Sequence, residues 1–263
     1  MPDQQKYTNK LKGAHILIIG GSSGIGYGVA EASLEHGARV TISSSNPTRI
    51  DSALSGLKAS YPSAATSNRI SSAVCDLSNE SSIEENVVQL FKAVGSVDHI
   101  VYTAGDALAT TPLADADLAF MKKAGMVRFF GPLLVAREGS KHLSPGPRSS
   151  ITLTSGMVGE RPLPNWAVVG SFASGAFGMA RGLALDLKPV RVNCVVPGAV
   201  DTELWKGLSE EVKREMFREY ESKMTTGRVG RVEDVVEAYL FAMRDENLTG
   251  SNIDTNGGNL LMG

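Results

Sequence analysis

The chain has 263 residues, 42% of them hydrophobic, enough to bury one substantial core and to favour a single α/β domain over two small ones. A formal net charge of −2 leaves no broad basic field for nucleic acid, and no run approaches the length of a membrane span. The two cysteines, Cys75 and Cys194, lie inside apolar strand-like runs and read as buried reduced thiols, not as a disulfide framework.

Residues 1–10, MPDQQKYTNK, form a polar tail without the apolar stretch of a signal peptide, so a cytoplasmic protein with its domain over 11–263 is expected. Strands are predicted at 14–19, 38–43, 70–75, 98–102, 149–154, 190–196 and about 251–254. Several are continuously apolar, as strands covered on both faces of a parallel sheet should be. Between them Ile83, Val87, Leu90 and Phe91 recur at helical spacing, as do Val232, Val235, Val236, Tyr239 and Leu240; both stripes read as core packing. Pro145 and Pro147 mark a turn at 144–150 before the fifth strand. This alternation implies a doubly wound sheet with right-handed crossovers.

Directly after the first strand comes Gly20-Gly21-Ser22-Ser23-Gly24-Ile25-Gly26, followed by a helix to about His36. Glycine at such a bend permits positive φ and close approach of backbone to a ligand. The new helix offers free N–H groups and the positive end of its dipole to a pyrophosphate. The strand–turn–helix context is what makes a glycine pattern a dinucleotide signal. At the end of the second strand an NAD site carries an acid for the ribose 2′-OH. Here the segment reads Ser44-Ser45-Asn46 and then Arg49, all able to donate to a 2′-phosphate, which favours NADP(H). The same residues could instead cap the next helix.

Taken together the motifs resemble those of the short-chain dehydrogenase/reductase superfamily over nearly the whole length. GGSSGIG at 20–26 is similar to the family's TGxxxGxG. Asp76-Leu77 follows the third strand, where the family contacts adenine, and Thr103-Ala104-Gly105 resembles its NAG. Pro197-Gly198-Ala199-Val200-Asp201-Thr202 resembles the segment that holds the nicotinamide carboxamide, and the end, Thr249-Gly250 through Gly257-Gly258, resembles TG…DGG. The resemblance implies a single-domain Rossmann fold with a seven-stranded parallel sheet ordered 3-2-1-4-5-6-7. It also implies a substrate lid over 203–222, including Leu204, Trp205, Leu208, Val212, Met216 and Phe217.

The catalytic positions depart from that pattern. Where the family has SSxxG this chain has Ser155-Gly156-Met157-Val158-Gly159, so its catalytic Ser falls on Gly156. Counting on to YxxxK puts Val169 at the Tyr and Ala173 at the Lys, and no tyrosine occurs between Tyr102 and Tyr220. The family's helical Asn aligns with Arg128. A guanidinium there could polarise a substrate carbonyl, or could be a structural cation seeking a partner in an apolar helix. Trp166, in Pro162-Leu163-Pro164-Asn165-Trp166, could stack on a planar substrate or anchor its loop. Asp106 and Glu160 could reach the cleft but read as loop hydrogen-bonding groups, and His15, His36, His99 and His142 show no metal-ligand spacing.

An Arg at the Asn position with a P-x-P-x-W loop resembles a mainly fungal branch that includes NADPH-dependent reductase/Diels–Alderases of indole-alkaloid pathways. That branch lacks the Tyr–Lys pair and carries an Asp where this chain has Leu163. The resemblance implies an NADP(H)-dependent oxidoreductase acting on an activated small molecule, an imine, iminium or activated carbonyl of secondary metabolism. The alternative is a redox-inert NADP(H)-binding protein or a non-redox cyclase. The small residues between Asn165 and Leu187 lie where the family commonly builds its interfaces, implying a homodimer or homotetramer.

Overall fold

The computed structural model describes residues 5–108 and 110–262, so the first four residues of the polar tail and Gly263 lie outside the described residues. Seven parallel strands form one sheet: β1 (His15–Ile19), β2 (Arg39–Ser44), β3 (Ile70–Val74), β4 (His99–Tyr102), β5 (Ser150–Thr154), β6 (Arg191–Pro197) and β7 (Asn252–Thr255). They are ordered β3-β2-β1-β4-β5-β6-β7. Each predicted strand is present within about a residue of its expected bounds.

The pleat divides each apolar run between two layers. Ile16 and Ile18 of β1 join Val40 and Ile42 of β2 on one face, covered by α1 (Gly24–Glu35), α2 (Pro47–Ser60) and α9 (Val232–Arg244). Leu17 and Ile19 point the other way, with Ile100 and Ile151, beneath α4 (Ile83–Val94), α6 (Gly131–Gly139) and α7 (Ala167–Asp186). Both predicted stripes pack as expected: Ile83, Val87, Leu90 and Phe91 are buried in the second layer, and Val235, Val236, Tyr239 and Leu240 in the first. The remaining helices are α3 (Pro62–Thr66), α5 (Leu118–Gly125) and α8 (Glu210–Ser222).

Two features correct the sequence reading. Helix α7 is long and apolar enough to cross a membrane by length and composition, although no such run was expected. In the fold it is a layer helix, burying Val169, Gly170, Ala176, Phe177, Met179 and Ala180. The second is a π-helical turn, Met126–Phe130, between α5 and α6. Pro132 has no N–H for the carbonyl of Arg128 and its ring crowds that carbonyl, so the backbone widens there. The Tyr102 hydroxyl donates to the Val127 carbonyl inside the same turn.

Order reverses between β1 and β4, because β1 is flanked by β2 on one side and β4 on the other. The crevice outside such a reversal is where open α/β sheets bind ligands.

Two buried histidines in the sheet, at the first residues of β1 and β4, bear on stability at low pH. His99 is buried, with Nδ1 2.8 Å from the Ser150 hydroxyl, and burial followed by the nearby Arg191 charge pushes it down to about 4. His15 is also lowered, mainly by burial. Both fold as neutral rings, whereas the unfolded chain takes up protons below about 6.5. Their contribution is therefore complete above that pH and is lost as pH falls below it, for His99 toward about 4. For His99 alone the loss reaches roughly 3 kcal/mol. Urea midpoints measured from pH 7 to 4.5 should fall more steeply in the wild type than in His99→Asn; parallel curves would contradict this.

Candidate functional site

A cavity of about 1000 Å³ runs along the crevice at the carboxyl ends of the strands. Its floor is the meeting of two loops. Gly20 has φ +94°, and a Cβ there would lie 2.4 Å from the Ala104 nitrogen. A Cβ on Gly26 would lie 2.3 Å from the Gly20 carbonyl and 2.4 Å from the Thr103 hydroxyl. Only glycine lets the turn, the start of α1 and the end of β4 approach this closely. Thr103 also donates to the Ile19 carbonyl at 3.2 Å, tying β4 to β1 across the reversal.

The start of α1 is left open for a ligand. Ser23 makes no side-chain cap, and the first turn holds no acid. By contrast Asn46, Asp117 and Ser209 cap α2, α5 and α8. Free N–H groups with no carboxylate in that first turn fit an anionic phosphate. The residues present therefore fit a dinucleotide.

Of the residues expected to hold coenzyme, Gly20, Ser22, Ser23, Gly24, Ile25, Ser44, Ser45, Arg49, Asp76, Leu77, Thr103, Ala104, Gly105, Pro197, Gly198, Val200 and Thr202 all line this cavity. Asn46 does not. Its carboxamide accepts from the Arg49 N–H at 3.0 Å, capping α2 in the alternative role the sequence allowed. No carboxylate lines the cavity from the β2–α2 edge, where Ser44, Ser45, Arg49 and Ser52 stand.

The three positions that the resemblance assigns to catalytic Ser, Tyr and Lys, namely Gly156, Val169 and Ala173, also line the cavity and carry no titratable group. Ser155 cannot substitute by position alone. Its hydroxyl donates to the Ala173 carbonyl at 2.8 Å, so it pins the loop after β5 to α7.

Arg128 projects from the π turn into the same end of the cavity. Its Nε donates to the Asp106 carboxylate at 3.1 Å and its Nη2 to the Asp106 carbonyl. The guanidinium lies over Gly105, where a Cβ would be 2.8 Å from Nη2 and 2.9 Å from Cζ. Burial lowers the Arg128 pKa and Asp106 opposes that shift. The partner of this cation is Asp106, and Nη1 makes no hydrogen bond among the described residues.

Trp166, half-buried, lines the cavity beside Leu163 and Phe172. From the segment 203–222 come Glu203, Leu204, Trp205, Lys206 and Tyr220. The Trp205 indole donates to the Val200 carbonyl at 2.8 Å and its ring packs against Phe217 and Tyr220, which fastens this segment to the loop after β6. Leu208 and Val212 are exposed, away from any pocket-shaping role. Sequence reading missed Phe172 and Tyr220. Phe172 follows Val169 by three positions on α7, so helical spacing could have found it; Tyr220 is brought in only by the fold of the segment 203–222. Glu160 does not line this cavity. Both cysteines are buried free thiols, Cys75 pushed up to about 11 and Cys194 to about 12 by burial.

Comparison with known proteins places this geometry. A family model described as an SDR-like Rossmann domain matches residues 7–262. The short-chain dehydrogenase/reductase fsr5 of Gibberella fujikuroi is 45% identical, covering 97% of this chain and 98% of its own length. The short-chain dehydrogenase/reductase malC of Malbranchea aurantiaca is 41% identical, covering 99% and 100%. Among solved structures, the MalC reductase/Diels-Alderase of Malbranchea aurantiaca superposes with a TM-score of 0.92 at 40% identity, covering 97% of this chain and 99% of that one. A small-chain dehydrogenase in complex with NADPH superposes at 0.75, with 28% identity and coverage of 95% and 99%.

Proposed function

This chain belongs to the short-chain dehydrogenase/reductase family, and on that premise we propose that it is an NADPH-dependent reductase of an already electrophilic small molecule. The acceptor class is an imine, iminium or activated carbonyl of secondary metabolism, of the alkaloid kind. One observation carries the reading: the glycine-lined cavity at the open start of α1 is also lined by Gly156, Val169 and Ala173, which offer no proton.

In this reading the N–H groups at the start of α1 hold the pyrophosphate, and Ser44, Ser45 and Arg49 hold the 2′-phosphate. Asp76 and Leu77 flank the adenine, and Val200 and Thr202 the nicotinamide. When bound, the reduced coenzyme supplies a hydride. A simple ketone that accepts hydride becomes an alkoxide and needs an acid or a strong oxyanion site. An iminium, including a cyclic imine already protonated in solution, becomes a neutral amine and needs neither. Arg128 orients the acceptor through its free Nη1, and Trp166 stacks on it. Residues 11–263 act as one domain with 203–222 as lid. The exposed face of α7 supports a homodimer or homotetramer: Gly178 and Gly182 leave open space and Leu185 is exposed. A cytoplasmic setting fits the reading.

Loss of absorbance at 340 nm with NADPH and a panel of cyclic imines and simple ketones tests the proposal. Imines should be consumed and ketones should not. NADPH should bind at least tenfold more tightly than NADH, and Arg49→Ala should narrow the gap, because a charge-assisted phosphate contact is worth about 1.5–3 kcal/mol. Equal affinities would remove the case for phosphate recognition. Rapid turnover of ketones would overturn the reading and direct attention to the Tyr220 phenol. No turnover of either class would favour a redox-inert coenzyme-binding protein.

A further inference from the structure

Six charged side chains line the cavity among the described residues, and they fall into three groups. Arg49 and Asp76 stand at the β2 and β3 end. Glu203 and Lys206 lie together on the lid, 3.9 Å apart. Asp106 and Arg128 form the third pair, in a cavity also lined by Leu163, Trp166, Val169 and Phe172. A lone guanidinium among such residues would repel any second cation. At an effective dielectric near 20 and a separation of about 5 Å, that repulsion weakens binding on the order of a hundredfold.

Arg128 is not alone. One residue grips it twice, through the Asp106 carboxylate at Nε and the Asp106 carbonyl at Nη2, and Gly105 provides the flat seat beneath it. A carbonyl alone would orient the fork as well. The carboxylate adds the charge, and with it the pair is formally neutral while still presenting an N–H donor. Aromatic faces at Trp166 and Phe172 then favour a cation over a neutral ring of the same shape.

We propose that Asp106 is a specificity-determining residue: by neutralising Arg128 against the seat of Gly105, it lets a positively charged acceptor share the pocket with an arginine. The inference rests on the reductase reading for its substrate class. It needs no hydride transfer to be tested.

The test uses the NADPH-bound protein and two non-reducible probes of one shape, benzyltrimethylammonium and its neutral carbon isostere neopentylbenzene, with affinities read by tryptophan fluorescence. Wild type should bind the cation at least as well as the isostere. Asp106→Asn keeps the size and hydrogen-bonding shape, and should weaken the cation roughly tenfold or more while moving the isostere less than about twofold. The double variant Asp106→Asn/Arg128→Met, with both charges gone, should recover the cation. Equal weakening of both probes would show that Asp106 only packs, and would overturn the proposal. So would an unchanged cation affinity in Asp106→Asn, or a wild type that prefers the isostere more than tenfold. A protein that shows the charge-selective shift but consumes no imine keeps this inference and loses the reductase reading.

Discussion

Alanine at Gly20 is expected to abolish measurable NADPH binding and to lower the stability of the fold by about 3–4 kcal/mol. Two costs combine. The residue sits at φ +94°, where an L side chain is strained. Its Cβ would also fall 2.4 Å from the Ala104 nitrogen, 2.6 Å from the Ala104 Cα and 2.7 Å from the Thr103 carbonyl carbon. These are backbone atoms at the exit of β4, which Thr103 fastens to β1 through Ile19. They can yield only if β1 and β4 part at the crevice, and that opening displaces the start of α1 as well. Gly13→Ala is the control, because it has φ +79° with nothing within 4 Å of its Cβ. It carries the strain without the collision, costs about 1 kcal/mol, and leaves coenzyme binding intact. Urea unfolding and fluorescence titration with NADPH would measure both; equal behaviour of the two variants would contradict a close-packed cradle.

The cradle was legible because its physics is local. A strand, a glycine bend and a new helix lie within a dozen residues, and the pattern itself states what the backbone must do. The layers were legible for a related reason, since alternation along β1 sends Ile16 and Leu17 to opposite faces without knowledge of the rest. Asn46 shows where local reading divides. A short polar side chain ahead of Pro47 serves a helix cap as readily as a phosphate, and the two roles differ only in which way the carboxamide turns.

The substrate end was legible as a set of replaced positions and opaque as an arrangement. Arg128 was singled out, yet its partner stands 22 residues earlier, after β4, and no periodicity links them. The π turn that presents it depends on Pro132 and on Tyr102, the latter from a strand. Ser155 stands one place before the position the family gives its catalytic Ser, and its bond to the Ala173 carbonyl gives it a structural task. The segment 203–222 required the fold altogether for its placement. Its amphipathic pattern marks an apolar side for α8, but it is the bond from Trp205 to Val200 that fixes how the segment lies over the cavity.

Arg128→Met should reduce kcat/KM for an imine acceptor by roughly a hundredfold, the scale of misplacing a substrate by about an ångström at the reacting centre. Coenzyme affinity should change less than threefold, because the phosphate and adenine contacts lie at the other end of the cavity. The variant leaves Asp106 as an uncompensated carboxylate, so a cationic acceptor should bind as well as before, or better, and the loss should fall on kcat. A purely structural arginine would behave differently: coenzyme affinity, KM and thermal midpoint would deteriorate together. Lysine at the same position separates charge from shape. It restores the cation but has no planar fork to reach the Asp106 carboxylate and carbonyl at once while keeping a third N–H for substrate. Arg128→Lys should therefore remain close to Arg128→Met in kcat. Rescue by lysine would mean that a positive charge is all this position supplies. The double variant with Asp106→Asn should cost less than the two single losses combined, since residues of one hydrogen-bonded pair do not act independently.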